Sequence, residues 1–169
     1  NFFDQNNLTD ISIDTDNNIW ISTWENGMYV INPETFTKTV YTRNKFKLNG
    51  LCSNALNQLL IDKNNNLLIG SLDNGLSLLP LKKKMFKTLS LQDPKSPMPE
   101  EINVYSIIRD NNHNLWIGTR GQGLIKFNLK TKIHKTFLTK DYPGMGSNSI
   151  LTLKLNDKGK IWIGTDGKF

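Results

Sequence analysis

The sequence lacks several features that define whole classes of protein. Its single cysteine, Cys52, excludes an intramolecular disulfide framework and a cysteine-rich zinc site. No stretch approaches the roughly 20 consecutive apolar residues of a membrane-spanning helix. No segment keeps the 3.6-residue apolar period over the roughly ten residues that a helix needs. These absences favour a small protein built mainly from β-strands.

The composition is that of a folded chain with a basic surplus. Aromatic residues make up 9% of the 169 residues and are spread along the whole sequence, which argues against disorder. Lys and Arg number 21 against 15 Asp and Glu, so the formal net charge is +6. Such a surplus permits contact with an anionic polymer, although its simplest role is to keep the protein soluble. We expect no nucleic-acid partner.

Four segments of the chain align as internal repeats. Each has an Asp or Asn, a polar turn and then an apolar triplet, whose central slot falls at Trp20, Leu68, Trp116 and Trp162. Successive slots are 48, 48 and 46 residues apart, and Gly27, Gly75 and Gly123 keep the same 48-residue step. The repeats span approximately residues 6–53, 54–101, 102–147 and 148–169, the last one truncated.

Each repeat is expected to form four short strands, because runs rich in Trp, Ile, Thr and Phe alternate with polar turns. In the third repeat these are 104–109, 115–119, 124–127 and 133–138. Four strands in 40–50 residues indicate a β-propeller blade. The predicted fold is therefore all-β: residues 1–169 form one segment of about three and a half four-stranded antiparallel blades, cut from a larger propeller. The Trp slot is expected to fill the space between neighbouring blades.

The repeat resembles that of the two-component regulator propeller. The resemblance rests on the pattern Ile-x-Asp-x-[Asp/Asn]-x-Asn-[Leu/Ile]-Trp-Ile-Gly-Thr-x-x-x-Gly-Leu, which is clearest at residues 109–124 and looser at 13–28 and 61–76. An upstream Ser-Asn pair is matched at Ser53-Asn54 and Ser147-Asn148. The departures are Leu68 for Trp, Ser22 for Gly and Asn156 for the leading Asp.

The resemblance implies a function in signalling. In hybrid two-component systems, such blades form a large periplasmic sensor propeller, followed by a membrane helix, a histidine kinase and a response regulator. The implied ligand is an oligosaccharide whose utilisation genes the system controls. The segment itself would then be non-catalytic and periplasmic, and would meet the membrane only through its inner-membrane parent chain. Its implied partners are the remaining blades, and a homodimer is left open.

Three motifs in the chain partly resemble catalytic, metal-binding or phosphate-binding sites. Asp14, Asp16, Asn18 and Glu25 have part of the spacing of a calcium loop, but Ile19 stands where that loop needs Gly; a polar β-turn explains them better. Residues 118–123 are rich in Gly but lack the Gly-Lys-[Ser/Thr] ending of a phosphate loop. The two histidines, His113 and His134, have no nucleophile or acid placed beside them by the repeat. We expect no metal, cofactor or catalytic residue.

Ligand binding is the better-motivated role for the loops. In a blade, the turn between the second and third strands lies on the same face as the loop that joins successive blades. Sugar sites combine an aromatic platform with planar hydrogen-bonding groups. The candidate ligand-binding residues are Trp24, Glu25, Asp73, Arg120, Gln122 and Tyr142, and the joining loops add Arg43, Lys45, Asp93, Lys140 and Asp141.

Two other functions compete with sensing. The propeller could serve without a kinase, as a scaffold that binds proteins or an anionic polymer, which the charge of +6 favours. A propeller hydrolase or lyase is less favoured, because no pair of acids recurs at a funnel position of the repeats.

Overall fold

The computed structural model describes residues 7–44, 50–83, 86–89 and 102–167. These residues form strands and one short 3-10 helix, Pro143–Met145. The first two repeats contain β1 (Leu8–Ile13), β2 (Ile19–Thr23), β3 (Met28–Ile31), β4 (Lys38–Tyr41), β5 (Leu56–Ile61), β6 (Asn66–Ser71), β7 (Leu76–Pro80) and β8 (Lys87–Leu89). The last two contain β9 (Val104–Arg109), β10 (Asn114–Thr119), β11 (Leu124–Asn128), β12 (His134–Phe137), β13 (Ile150–Leu155) and β14 (Ile161–Thr165).

The strands form separate antiparallel sheets, one for each repeat. Three sheets have four strands in chain order, β1–β4, β5–β8 and β9–β12, and the fourth pairs β13 with β14. The predicted all-β, four-stranded blades are therefore confirmed. The first strand of every sheet carries an irregularity of register at the same place, between Leu8 and Asp10 in β1 and between Ile150 and Thr152 in β13. The predicted strand bounds of the third repeat differ from the observed ones by one residue at most.

The chain divides into two compact units, residues 1–89 and 90–169. The first unit holds the sheets of the first two repeats, with β1 lying beside β5. The second holds the sheets of the third and fourth repeats, with β9 beside β13. In each unit, neighbouring blades therefore meet through their first strands, as blades around a propeller axis do.

The apolar slot of the repeat lies in the space between blades. Trp20 is buried in one cluster with Leu59 and Leu79 of the second repeat. Trp116 packs against the cluster that contains Leu153 of the fourth repeat. These contacts agree with the predicted position of the Trp slot.

The Asp that opens each repeat motif organises the turn after the first strand. In the first repeat, Asp14 Oδ1 accepts hydrogen bonds from the backbone N–H groups of Asp16 and Asn18, each at 2.9 Å. Its Oδ2 accepts from Asn18 Nδ2 at 3.0 Å and from Trp20 Nε1 at 2.8 Å. Asp110 repeats all four bonds with its own turn. The polar turn preferred over a calcium loop is thus the one observed, and it explains why Asp, Asn and Trp recur together.

The Ser-Asn pair of the repeat joins neighbouring blades. The carbonyl oxygen of Asn54 accepts from the N–H of Gly27 at 3.0 Å, and its Oδ1 accepts from the N–H of Arg43 at 2.6 Å. Asn148 makes the same two bonds with Gly123 and Thr139 in the second unit. One Asn thereby fixes both a turn and an outgoing loop of the preceding blade.

Candidate functional site

The loops chosen from the sequence lie at one end of the sheets. Gly27 closes the β2–β3 turn and Arg43 follows β4, and both donate to Asn54. In the second unit, Gly123 and Thr139 likewise donate their backbone N–H groups to Asn148. Within each unit, the turn between the second and third strands therefore meets the loop that leaves the blade, as expected. We call this end of each unit its loop end.

In the first unit, the candidate residues at the loop end differ in exposure. Trp24 is 51% exposed and Glu25 is also exposed. Asp73 is half-buried, and its buried Oδ1 has no hydrogen-bond partner within the part of the chain that the structure describes. The Thr23 hydroxyl holds the β2–β3 turn by donating to Gly27 O at 2.8 Å. The turn is thus fixed, and the Trp24 indole can meet a ligand.

In the second unit, the candidates fall into two groups. Arg120 is exposed and Gln122 half-buried in the β10–β11 turn. Tyr142 is 41% exposed, and its ring packs on Phe137 with the centroids 5.3 Å apart. Phe137 in turn stacks on Trp116 at 5.7 Å, so Tyr142 ends a row of three rings. Lys140 and Asp141 are exposed, whereas Lys45 and Asp93 lie outside the described residues.

A cleft at the opposite end of the first blade escaped the sequence analysis. Its volume is about 250 Å³. Its walls come from the β1–β2 and β3–β4 turns and from β2, β3 and β4, and Leu81 of the second repeat closes it. The lining residues are Asp14, Asp16, Asn18, Trp20, Val30, Asn32, Thr37, Thr39, Tyr41 and Leu81. We call this the seam cleft, because two blades build it.

The seam cleft has an aromatic wall and a negative edge. The rings of Trp20 and Tyr41 stack with centroids 5.9 Å apart. Burial raises the pKa of Asp14, but hydrogen bonds from Trp20 and Asn18 lower it by more, so the pKa of this carboxyl lies below its ordinary value of 3.8. Asp14 is therefore ionised at neutral pH, although its oxygens are occupied by the turn.

Other lining groups of the seam cleft are available to a ligand. The Asp16 carboxylate, the Asn32 Nδ2 group and the Thr39 hydroxyl make no hydrogen bond to any described residue. Asp16 and Thr39 are exposed, and Asn32 is half-buried. One signal of the cleft was present in the sequence: Thr39 stands where the second and third repeats have Lys87 and Lys135.

The described residues offer neither a metal site nor a membrane-spanning helix. No group of three His, Cys, Asp or Glu side chains within 7–44, 50–83, 86–89 and 102–167 is arranged to hold a metal ion. Among the same residues, no helix has the length and apolar character needed to cross a membrane.

Comparison with known proteins identifies the repeat and the fold. Residues 98–121 match the family described as the two component regulator propeller, so the resemblance stated from the sequence is confirmed. No curated protein sequence matches the chain.

Solved structures match the chain over nearly its whole length. The extracellular domain designated as that of the hybrid two component system BT3049 from B. thetaiotaomicron superposes on 94% of it, with a TM-score of 0.82 and 22% identity. For BT4673 of the same organism the values are 95%, 0.73 and 23%. PorZ, described as a surface component of the type-IX secretion system of Porphyromonas gingivalis, covers 94% with a TM-score of 0.60 and 15% identity.

These matches are to much longer proteins. The chain spans 21%, 20% and 31% of the three solved chains. The likeness therefore establishes the propeller fold of such extracellular domains for this segment.

Proposed function

We propose that this chain is a segment of the ligand-sensing propeller of a hybrid two-component sensor histidine kinase. The observation that supports this most is the superposition of 94% of the chain on the BT3049 extracellular domain with a TM-score of 0.82. In this proposal the segment is periplasmic and non-catalytic, and the kinase lies elsewhere in an inner-membrane parent chain. The ligand is an oligosaccharide, and its binding controls the genes for its use.

The proposed ligand surfaces are the loop ends of the two units, each taken by itself. In the first unit Trp24 offers an exposed ring on which a sugar face can stack, and in the second unit Tyr142 offers such a ring and Arg120 a planar hydrogen-bonding group. Glu25 supplies further polar atoms beside Trp24, Asp73 does so in the β6–β7 turn of the first unit, and Gln122 does so beside Arg120.

A panel of oligosaccharides titrated calorimetrically against the complete extracytoplasmic region tests this proposal. We expect one glycan to bind, and Trp24→Ala or Arg120→Ala to weaken it about tenfold or more, a loss typical of central contacts. Phe36→Ala and Lys130→Ala are matched controls, because both residues are exposed in turns at the opposite end of the sheets. The absence of binding by every glycan would contradict the sensing of oligosaccharides. Equal affinity of the loop-end variants would contradict the assigned surface.

A scaffold for an anionic polymer is a second candidate, favoured by the β11–β12 hairpin. Residues 124–140 contain five lysines and no Asp or Glu. Lys126 and Lys135 stand directly opposite each other on neighbouring strands, an arrangement that like charges disfavour and that a bound anion would relieve. Binding of this kind would weaken steeply as salt is added, whereas binding of a neutral oligosaccharide would not.

A further inference from the structure

The seam cleft has the features of a second ligand site, separate from the loop end. It is bounded by two blades, and it holds polar groups that the turn architecture leaves unused. The Asp16 carboxylate, the Asn32 amide and the Thr39 hydroxyl all line it without a hydrogen bond to a described residue. Val30 and Leu81 add an apolar surface beside the Trp20–Tyr41 stack.

The charge of the seam cleft opposes that of the whole chain. Asp14 and Asp16 line it, and none of the described Lys, Arg and His residues does, although the chain carries a net charge of +6. Lys82 and Lys83 follow Leu81 in the sequence but do not line the cleft. An anion would be repelled by the two carboxylates, whereas a cation would be attracted.

We propose that the seam cleft binds a small organic cation, an ammonium or guanidinium group carried on a compact apolar body. The cationic group donates hydrogen bonds to the Asp16 carboxylate and the Thr39 hydroxyl. The apolar body rests against Val30, Leu81 and the aromatic wall. A volume of about 250 Å³ limits the ligand to about one ring with its substituents, because larger pockets hold drug-sized molecules.

A pair of matched probes separates a cation from a neutral ring. Cyclohexylammonium and cyclohexanol share the six-membered ring and differ in charge. Each is titrated into the chain while two-dimensional ¹H–¹⁵N NMR follows the Trp20 indole N–H and the Asn32 side-chain amide, both in the cleft. We expect cyclohexylammonium to shift both signals saturably. Under the same conditions cyclohexanol should shift them little.

Substitutions then locate the charge that attracts the ligand. Asp16→Asn should weaken cyclohexylammonium binding about fivefold, the order expected for an exposed ion pair. Asp157→Asn makes the same change of charge in the corresponding turn of the fourth repeat, where the residue is also exposed, and should leave the affinity unchanged. Thr39→Lys places an ammonium group on the exposed face of the outer strand and should abolish binding.

Three results would overturn the proposal. These are equal affinity for cyclohexanol and cyclohexylammonium, equal affinity of the Asp16→Asn variant and the wild type, or saturable shifts confined to residues outside the cleft. The first of these would indicate a site for neutral rings. None of the three bears on the sensing proposal, because the oligosaccharide panel tests the loop end.

Discussion

At the scale of single residues, the repeat is held by one carboxylate in each turn. Asp14 accepts two backbone hydrogen bonds through Oδ1 and two side-chain bonds through Oδ2. Asp62 keeps the backbone bonds and the bond from Asn66 Nδ2, but Leu68 has replaced the indole donor. Among the described residues, the Asn156 side chain keeps the two backbone bonds alone. The recurring residues of the repeat therefore correspond to particular hydrogen bonds of the turn. Where a repeat has a different residue, the corresponding hydrogen bond is lost.

Replacing the carboxylate by an amide should cost more where a Trp donates to it. In Asp14→Asn, the new NH₂ group faces the indole N–H and the Asn18 amide, so two bonds to a charged acceptor are lost. We expect the free energy of unfolding to fall by about 2–3 kcal/mol. Asp62→Asn removes the bond from Asn66 Nδ2 but no indole bond, and should cost less. Urea denaturation of both variants measures the difference, and equal losses would show that the indole bond does not contribute.

The same carboxylates should make the chain sensitive to acid. Burial raises the pKa of Asp110 as it does that of Asp14, but hydrogen bonds from Asn114 and Trp116 lower it by more, so the pKa lies below 3.8 in the folded protein. A lowered folded-state pKa contributes stability above the unfolded pKa, and this contribution is lost as pH falls through the folded value. The free energy of unfolding should therefore decrease below about pH 4. The double variant Asp14→Asn, Asp110→Asn should show a shallower decrease, and an identical slope would contradict this assignment.

At the scale of strands and turns, the glycine just before the third strand is required for different reasons in different repeats. Gly27 has φ of 73°, and a Cβ built there would meet the carbonyl oxygen of Tyr41 on the neighbouring strand. Gly75 has φ of 72°, but a Cβ there would meet no described atom within 4 Å. One glycine is thus required by conformation and by close approach, whereas the other is required by conformation alone.

Alanine substitutions should separate these two causes. Gly75→Ala pays only for the left-handed backbone, about 1–2 kcal/mol. Gly27→Ala must also displace the β4 backbone, and we expect a loss of about 3 kcal/mol or more. Thermal unfolding followed by circular dichroism measures both. A Gly75→Ala variant as unstable as Gly27→Ala would contradict the role given to the Tyr41 carbonyl.

The strands were predictable from sequence because their signals are local and repeat four times. Runs of β-branched and aromatic residues set the strands, and the positions of Trp20 and Trp116 between blades follow from the repeat. The seam cleft was not predictable in the same way. It depends on Leu81, which lies 61 residues after Trp20 and comes from a different repeat. The four hydrogen bonds that Asp14 accepts were likewise not predictable, because they depend on the backbone geometry of the turn and not only on the spacing of residues in the sequence.

At the scale of the whole molecule, equivalent positions differ in whether another blade covers them. Leu59 is 4% exposed against the first blade, whereas Ile11, one repeat earlier, is 61% exposed. Trp20 is 5% exposed, whereas Trp162 in the corresponding slot of the fourth repeat is 67% exposed. These exposed faces have the chemistry of blade interfaces. We therefore propose that further repeats of the parent chain cover them.

The exposed faces should make the isolated chain self-associate. Apolar patches of this kind are typical of interaction surfaces. Sedimentation velocity should show an average mass that rises with protein concentration, and the double variant Ile11→Thr, Trp162→Thr should reduce that rise. The pair Phe36→Thr, Ile133→Thr changes equally exposed apolar residues in turns and serves as the control. A wild-type chain that stays monomeric at all concentrations would contradict the assignment of these faces.

The proposal that the chain is part of a sensor propeller is tested most directly by the sequence of its gene on both sides of Asn1 and Phe169. We predict further repeats of 46–48 residues, then an apolar span of about 20 residues and a histidine-kinase region. A reading frame that ends after a few more repeats, with no apolar span and no kinase region, would contradict the sensor assignment. It would leave the anionic-polymer scaffold as the better account.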